Sequence, residues 1–120
     1  MAVAEDFTIE EKEEQERMVL ESVDRFLERD VEPFAHDLEA DDTYPQEIVD
    51  KMVDMGLFGA TIGMEYGGLG LSVSTYAKIV ERVSTVWMSV SGIFNSHLIM
   101  AAAVERSGTE EQKAKWLPKF

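Results

Sequence analysis

Six of the chain's eight glycines lie between Gly56 and Gly70, in the run MGLFGATIGMEYGGLGLS. Glycine adopts positive φ and permits close backbone approach, so a cluster this dense builds a specific non-helical connection. The run separates an acidic half from an apolar one. Residues 1–60 carry 19 Asp/Glu against 5 Lys/Arg, whereas residues 61–120 carry 5 against 6, and the net charge is −13. Such an acidic first half argues against nucleic acid or an anionic membrane as partner, since both would repel it. It reads as a solvated helix face, with a dedicated basic partner as the other reading.

Helical signals flank the glycines on both sides. Thr8 and Glu11 form a capping-box pattern at a helix start. Glu13-Arg17 and Glu21-Arg25 follow at the favourable i,i+4 spacing. Val19, Val23, Phe26, Leu27, Phe34 and Leu38 supply the apolar stripe. Pro33 predicts a kink or short break near Val31 and Glu32. Pro45 fits the first position of a second helix, whose buried face is Ile48, Val49, Met52 and Val53 and whose stop is Gly56.

Beyond the glycines, Ser72 caps a third helix with Tyr76, Ile79, Val80 and Val83 inward and Lys78, Glu81 and Arg82 outward. A turn then leads to a fourth helix, from near Ser89 or Ser91 to about Ser107, with Gly108 as its stop. Ile93 to Val104 is apolar nearly all round, the pattern of a central buried helix. Thr109 and Gln112 open a fifth, which reaches about Trp116 before Pro118. No segment reads as a strand. The expectation is one all-α domain over residues 1–120: a bundle of about five helices with the Gly-rich connection between the second and third.

Val83 to Val104 carries no formal charge and is long enough to span a bilayer. Ser84, Thr85, Ser89, Ser91, Asn95, Ser96 and His97 make that costly in hydrocarbon, so a turn and a protein-buried helix fit better. The N-terminus MAVAEDFTIEEKEEQER matches neither a secretory nor a transit pattern, and the expected compartment is cytoplasmic. The chain runs out at LPKF, directly after a helix and without a polar tail, and its apolar second half has little charged cover of its own, which suggests surface intended for something absent from this chain.

Few residues offer chemistry. With no cysteine, disulfides, thiolate metal sites and Cys nucleophiles are excluded. His36 reads as solvated and His97 as a hydrogen-bonded core histidine; neither has metal-ligand spacing around it. The carboxylates of the first helix sit among Lys and Arg on a charged face, without the apolar setting that would raise a pKa for acid–base work. Gly67-Gly68-Leu69-Gly70 lacks the order, the preceding strand and the Gly-Lys ending of a phosphate loop. Asn95 and Ser96 stand out as small polar groups on an apolar helix. They either hydrogen-bond internally or line a cavity.

Together, five groups of residues give the chain a resemblance to the N-terminal helical domain of the acyl-CoA dehydrogenases. They are Val31-Glu32-Pro33-Phe34-Ala35, Tyr44-Pro45, Met55-Gly56-Leu57-Phe58-Gly59, Glu65-Tyr66-Gly67-Gly68-Leu69-Gly70-Leu71-Ser72, and Gly108-Thr109-Glu110-Glu111-Gln112-Lys113 followed by Trp116-Leu117-Pro118. The resemblance covers roughly residues 7–120. Gly63-Met64 departs from it, since the family usually has Pro-Glu before Tyr-Gly-Gly; the expected effect is on loop stiffness, with the fold intact.

The resemblance implies a three-part parent enzyme, in which a middle β domain and a C-terminal helical domain follow this one. Such enzymes carry FAD and dehydrogenate the α,β bond of an acyl-CoA thioester. They usually pass electrons to an electron-transfer flavoprotein, and the resemblance further implies a homo-oligomer. It transfers no catalytic residue and no flavin ligand to this chain, so residues 1–120 alone are expected to be inactive and free of FAD. By alignment from Gly108, the acyl-pocket wall would be Asn95, Ser96 and Ile99, which favours the cavity role for Asn95. A polar Asn95 would disfavour a long plain alkyl chain and suit a short, branched or polar acyl group. The alternative is a free-standing helical interaction module, distinguished by whether the reading frame continues past Phe120 into a β-rich segment.

Overall fold

The computed structural model of the chain describes residues 8–120. Residues 1–7, which begin the segment read for targeting signals and include Phe7 of the resemblance, lie outside the described residues. All regular structure among the described residues is helical: α1 (Ile9–Phe26), α2 (Glu32–Ala40), α3 (Gln46–Asp54), α4 (Val73–Ser107) and α5 (Glu110–Trp116), with short 3-10 turns between and after them.

Both capping boxes form. Thr8 Oγ1 accepts from the Glu11 amide while Glu11 accepts from that of Thr8, and Thr109 and Gln112 reciprocate in the same way at α5. The expected i,i+4 pairs do not form. Arg17 instead pairs with Glu14, one residue nearer, at 2.6 Å. Pro45 caps α3 from outside at ψ 62°, one residue before the helical start expected of it.

The irregularity expected at Val31–Glu32 is a π-turn over Leu27–Val31, just upstream of Pro33, closed by the Glu32 amide donating to the Leu27 carbonyl. Proline cannot donate to the ladder and crowds the carbonyl four residues back, so the preceding turn widens. A π-turn inserts one residue, which rotates everything beyond it by about 100°. This corrects the stripe: Ala35 takes the buried position and Phe34 is 53% exposed, while Leu38 is left at the margin. At α3, Ile48, Val49 and Met52 are buried as expected, but Val53 is 55% exposed.

One core runs from α1 through α3 and the glycine segment to α4, with Val23, Met52, Leu57, Ile79, Val83 and Phe94 nearly or wholly inaccessible to solvent. Trp87 is extended in the middle of α4, at φ −156° and ψ 100°. Across it the Tyr76 and Asn95 side chains hydrogen-bond, and the Tyr76 and Phe94 rings lie 6.3 Å apart. A straight helix would separate residues 19 apart by roughly 28 Å. α4 therefore folds back at Trp87 into two arms, residues 73–86 and 88–107. The separate third and fourth helices of the sequence are these arms, with the turn slightly earlier than expected. Ser91 Oγ donates to the Met88 carbonyl and Ser84 Oγ to Ser91 Oγ across the fold-back.

The first arm is tied to α1 by charge: Lys78 to Glu16 at 2.7 Å and Arg82 to Asp24 at 2.9 Å. Part of the acidic face thus receives cations of the apolar half. Both pairs lie at the surface, where solvent screens them.

Candidate functional site

The second arm of α4 was expected to be buried all round. Only one side is. Val90, Phe94, Leu98 and Ala101 face the core, whereas Met88, Gly92, Ser96, Ile99 and Met100 are exposed, Met88 by 73% and Ile99 by 63%. Ser96 and Ile99 therefore lie on an open, mostly apolar helix face. Asn95 sits half-buried at its edge. Five concavities elsewhere on the chain are lined by α1–α3, the glycine segment, the first arm of α4 and the chain's last residues, and none of the three residues lines any of those five.

The two readings of Asn95 are resolved in part. Its Oδ1 accepts a hydrogen bond of 2.5 Å from the Tyr76 hydroxyl on the first arm. Burial pushes the Tyr76 phenol up from its ordinary value, which keeps it a neutral donor. The Asn95 amide nitrogen has no acceptor among the described residues. Internal bonding and an outward polar group thus coexist in one side chain. No sequence signal announces the Tyr76–Asn95 bond, because it exists only once α4 folds back.

His97 meets the expectation of a hydrogen-bonded core residue. Its Nε2 lies 3.1 Å from the Phe120 carbonyl oxygen, with the Phe58 and Phe120 rings edge-on at 5.1 and 5.3 Å. It pins the end of the described chain against the glycine segment. His36 is exposed. Among the described residues, no group of three or more His, Asp or Glu is placed to hold a metal ion. Glu16 is held below the ordinary carboxylate value by its hydrogen bond from Lys78, which weakens it as a base.

The glycine segment is a structural knot. Gly56, Gly67 and Gly70 have φ of 79°, 89° and 60°, and a Cβ on Gly68 would fall 2.1 Å from the Ile62 carbonyl oxygen. The amides of Gly68, Leu69, Gly70 and Leu71 donate to the carbonyls of Gly63, Gly59, Ile62 and Ala60. With those donors used internally, this loop does not fit the phosphates of a dinucleotide such as FAD, and no step is assigned through it.

A family model described as "Acyl-CoA dehydrogenase, N-terminal domain" matches residues 13–120. The chain belongs to the acyl-CoA dehydrogenase family. It is 36% identical over 109 residues to a (2S)-methylsuccinyl-CoA dehydrogenase of Cereibacter sphaeroides, covering 90% of this chain and 20% of the relative. A short-chain-specific acyl-CoA dehydrogenase of Clostridium acetobutylicum is 34% identical over 113 residues, covering 93% and 29%. A chain of the solved structure described as "Electron transferring flavoprotein of Acidaminococcus fermentans: Towards a mechanism of flavin-based electron bifurcation" superposes at TM-score 0.79 with 29% identity, covering 94% of this chain and 29% of that one. The chain thus spans less than a third of each of these relatives, as the N-terminal domain of the family.

Proposed function

We propose that the protein carrying this chain is a flavin-dependent acyl-CoA dehydrogenase in which the second arm of α4 forms one wall of the acyl pocket. The observation that carries this reading is the family match over nearly the whole chain. The open face of α4 supports the wall: Ile99 offers apolar contact, Ser96 a small exposed surface, and Asn95 a polar edge. On this reading the reaction removes the α proton and the β hydride of an acyl-CoA. FAD, held outside the described residues, would supply the hydride acceptor, and the carboxylate base would lie outside them too. Residues 1–120 alone hold no flavin and turn nothing over.

An electron-transfer flavoprotein is the proposed acceptor, the parent is proposed to be a homo-oligomer, and the compartment is proposed to be cytoplasmic. α4 is long and apolar enough to cross a membrane by length and composition. We take it as a core helix, because it folds back at Trp87 and buries one side of each arm.

The test is to express the full-length protein and look for a flavin absorbance that bleaches on adding acyl-CoA. Asn95→Leu should then raise kcat/KM for longer alkyl chains relative to short ones. An unchanged chain-length profile rejects the wall role of Asn95, and a colourless protein inert to acyl-CoA rejects the dehydrogenase reading.

A further inference from the structure

An asparagine side chain has two chemically opposite ends, a carbonyl that accepts and an NH2 that donates. Which end a ligand meets depends on what the rest of the protein does with the other. Here the carbonyl end is taken: the Tyr76 hydroxyl donates to Asn95 Oδ1. Tyr76 is itself fixed, half-buried on the first arm with its ring edge-on to Phe94 at 6.3 Å. The NH2 end has no acceptor among the described residues, and Asn95 stands beside the open face of Ser96 and Ile99.

We infer that Tyr76 is a positioning residue that turns Asn95 into a hydrogen-bond donor toward the acyl group, so that the site selects acyl chains bearing an oxygen acceptor over plain alkyl chains. This rests on the reading above that Asn95 faces the acyl group, and adds to it both the residue that sets the polarity and the substrate class. A plain alkyl chain would desolvate the NH2 and leave it unpaired, whereas a carbonyl or hydroxyl oxygen would satisfy it.

The matched probes are pentanoyl-CoA and 4-oxopentanoyl-CoA, which differ by one CH2 against one C=O, assayed with the full-length holoenzyme. The unaltered enzyme should favour the oxo substrate in kcat/KM by about three- to tenfold, the effect of one net neutral hydrogen bond. Tyr76→Phe should bring that ratio toward one, mainly through KM of the oxo substrate. Asn95→Asp keeps an acceptor for the Tyr76 hydroxyl but removes the donor, and should abolish or invert the preference even if Tyr76→Phe proves unstable.

Loss of the preference in Asn95→Asp together with its survival in a well-folded Tyr76→Phe overturns the positioning role. A ratio of one in the unaltered enzyme, while Asn95→Leu still alters chain-length preference, overturns the substrate class and leaves the wall intact. Indifference to every Asn95 substitution sinks the wall reading and this inference with it.

Discussion

Replacing Gly68 by alanine tests whether the glycine segment is a packed knot or a tolerant linker. The φ of Gly68 is not left-handed, so the difficulty is space: the added Cβ would lie 2.1 Å from the Ile62 carbonyl oxygen and 2.6 Å from its carbon. Ordinary Cβ contacts begin beyond 3 Å, so one backbone must move by about 1 Å. Both are tethered, since Gly68 donates to the Gly63 carbonyl and Gly70 to that of Ile62. Giving up two such bonds costs about 1–3 kcal/mol, and overpacking costs a similar amount. Because movement relieves the overlap, the two do not add in full, and the expected loss is about 2–4 kcal/mol.

Two neighbours serve as internal controls. Gly67 has φ 89° with nothing within 4 Å of a Cβ, so Gly67→Ala should cost only the left-handed strain of about 1–2 kcal/mol. Gly92 is helical, exposed and open, so Gly92→Ala should stabilise by about 0.5–1 kcal/mol. Urea unfolding followed by far-ultraviolet circular dichroism measures all three, provided the m-values agree. A Gly68→Ala midpoint no lower than that of Gly67→Ala would refute the close-approach argument.

Gly63 occupies φ −56° and ψ 146°, a conformation proline prefers, and the three atoms nearest a Cβ there all belong to the movable carboxylate of Glu65. Gly63→Pro should therefore raise stability by about 0.4–1 kcal/mol through the unfolded chain, and a lowered thermal midpoint would show that the loop needs glycine at this point. Lys78 donates a hydrogen bond to Glu16 and holds its carboxyl below the ordinary 4.5. That contribution to stability is present above the unfolded-state value and is lost as pH falls through the lower folded one. Carboxyl NMR titration should show the Glu16 value rise in Lys78→Ala, and an unmoved titration would mean the pair is not populated in solution.

Much of the local architecture was legible because it depends on neighbours in sequence. The capping boxes at Thr8 and Thr109 and the stops at Gly56 and Gly108 each follow from backbone groups within a few residues. So does the irregularity near Pro33, although its form was not legible. A break leaves the stripe in phase, while a π-turn rotates it, and the difference decides whether Phe34 or Ala35 is buried. Glu13 and Glu14 both lie within reach of Arg17, and spacing alone did not choose between them.

By itself, then, the sequence determined the helical class and the family, because these rest on periodicity, capping chemistry and the order of short motifs. Only tertiary structure decided which side of α4 stays open and which end of Asn95 is free. Hydropathy counts apolar residues around a helix but does not say how many neighbours arrive to cover them. The Tyr76–Asn95 bond likewise joins residues that a straight helix would hold far apart, and it exists because the chain turns back at Trp87.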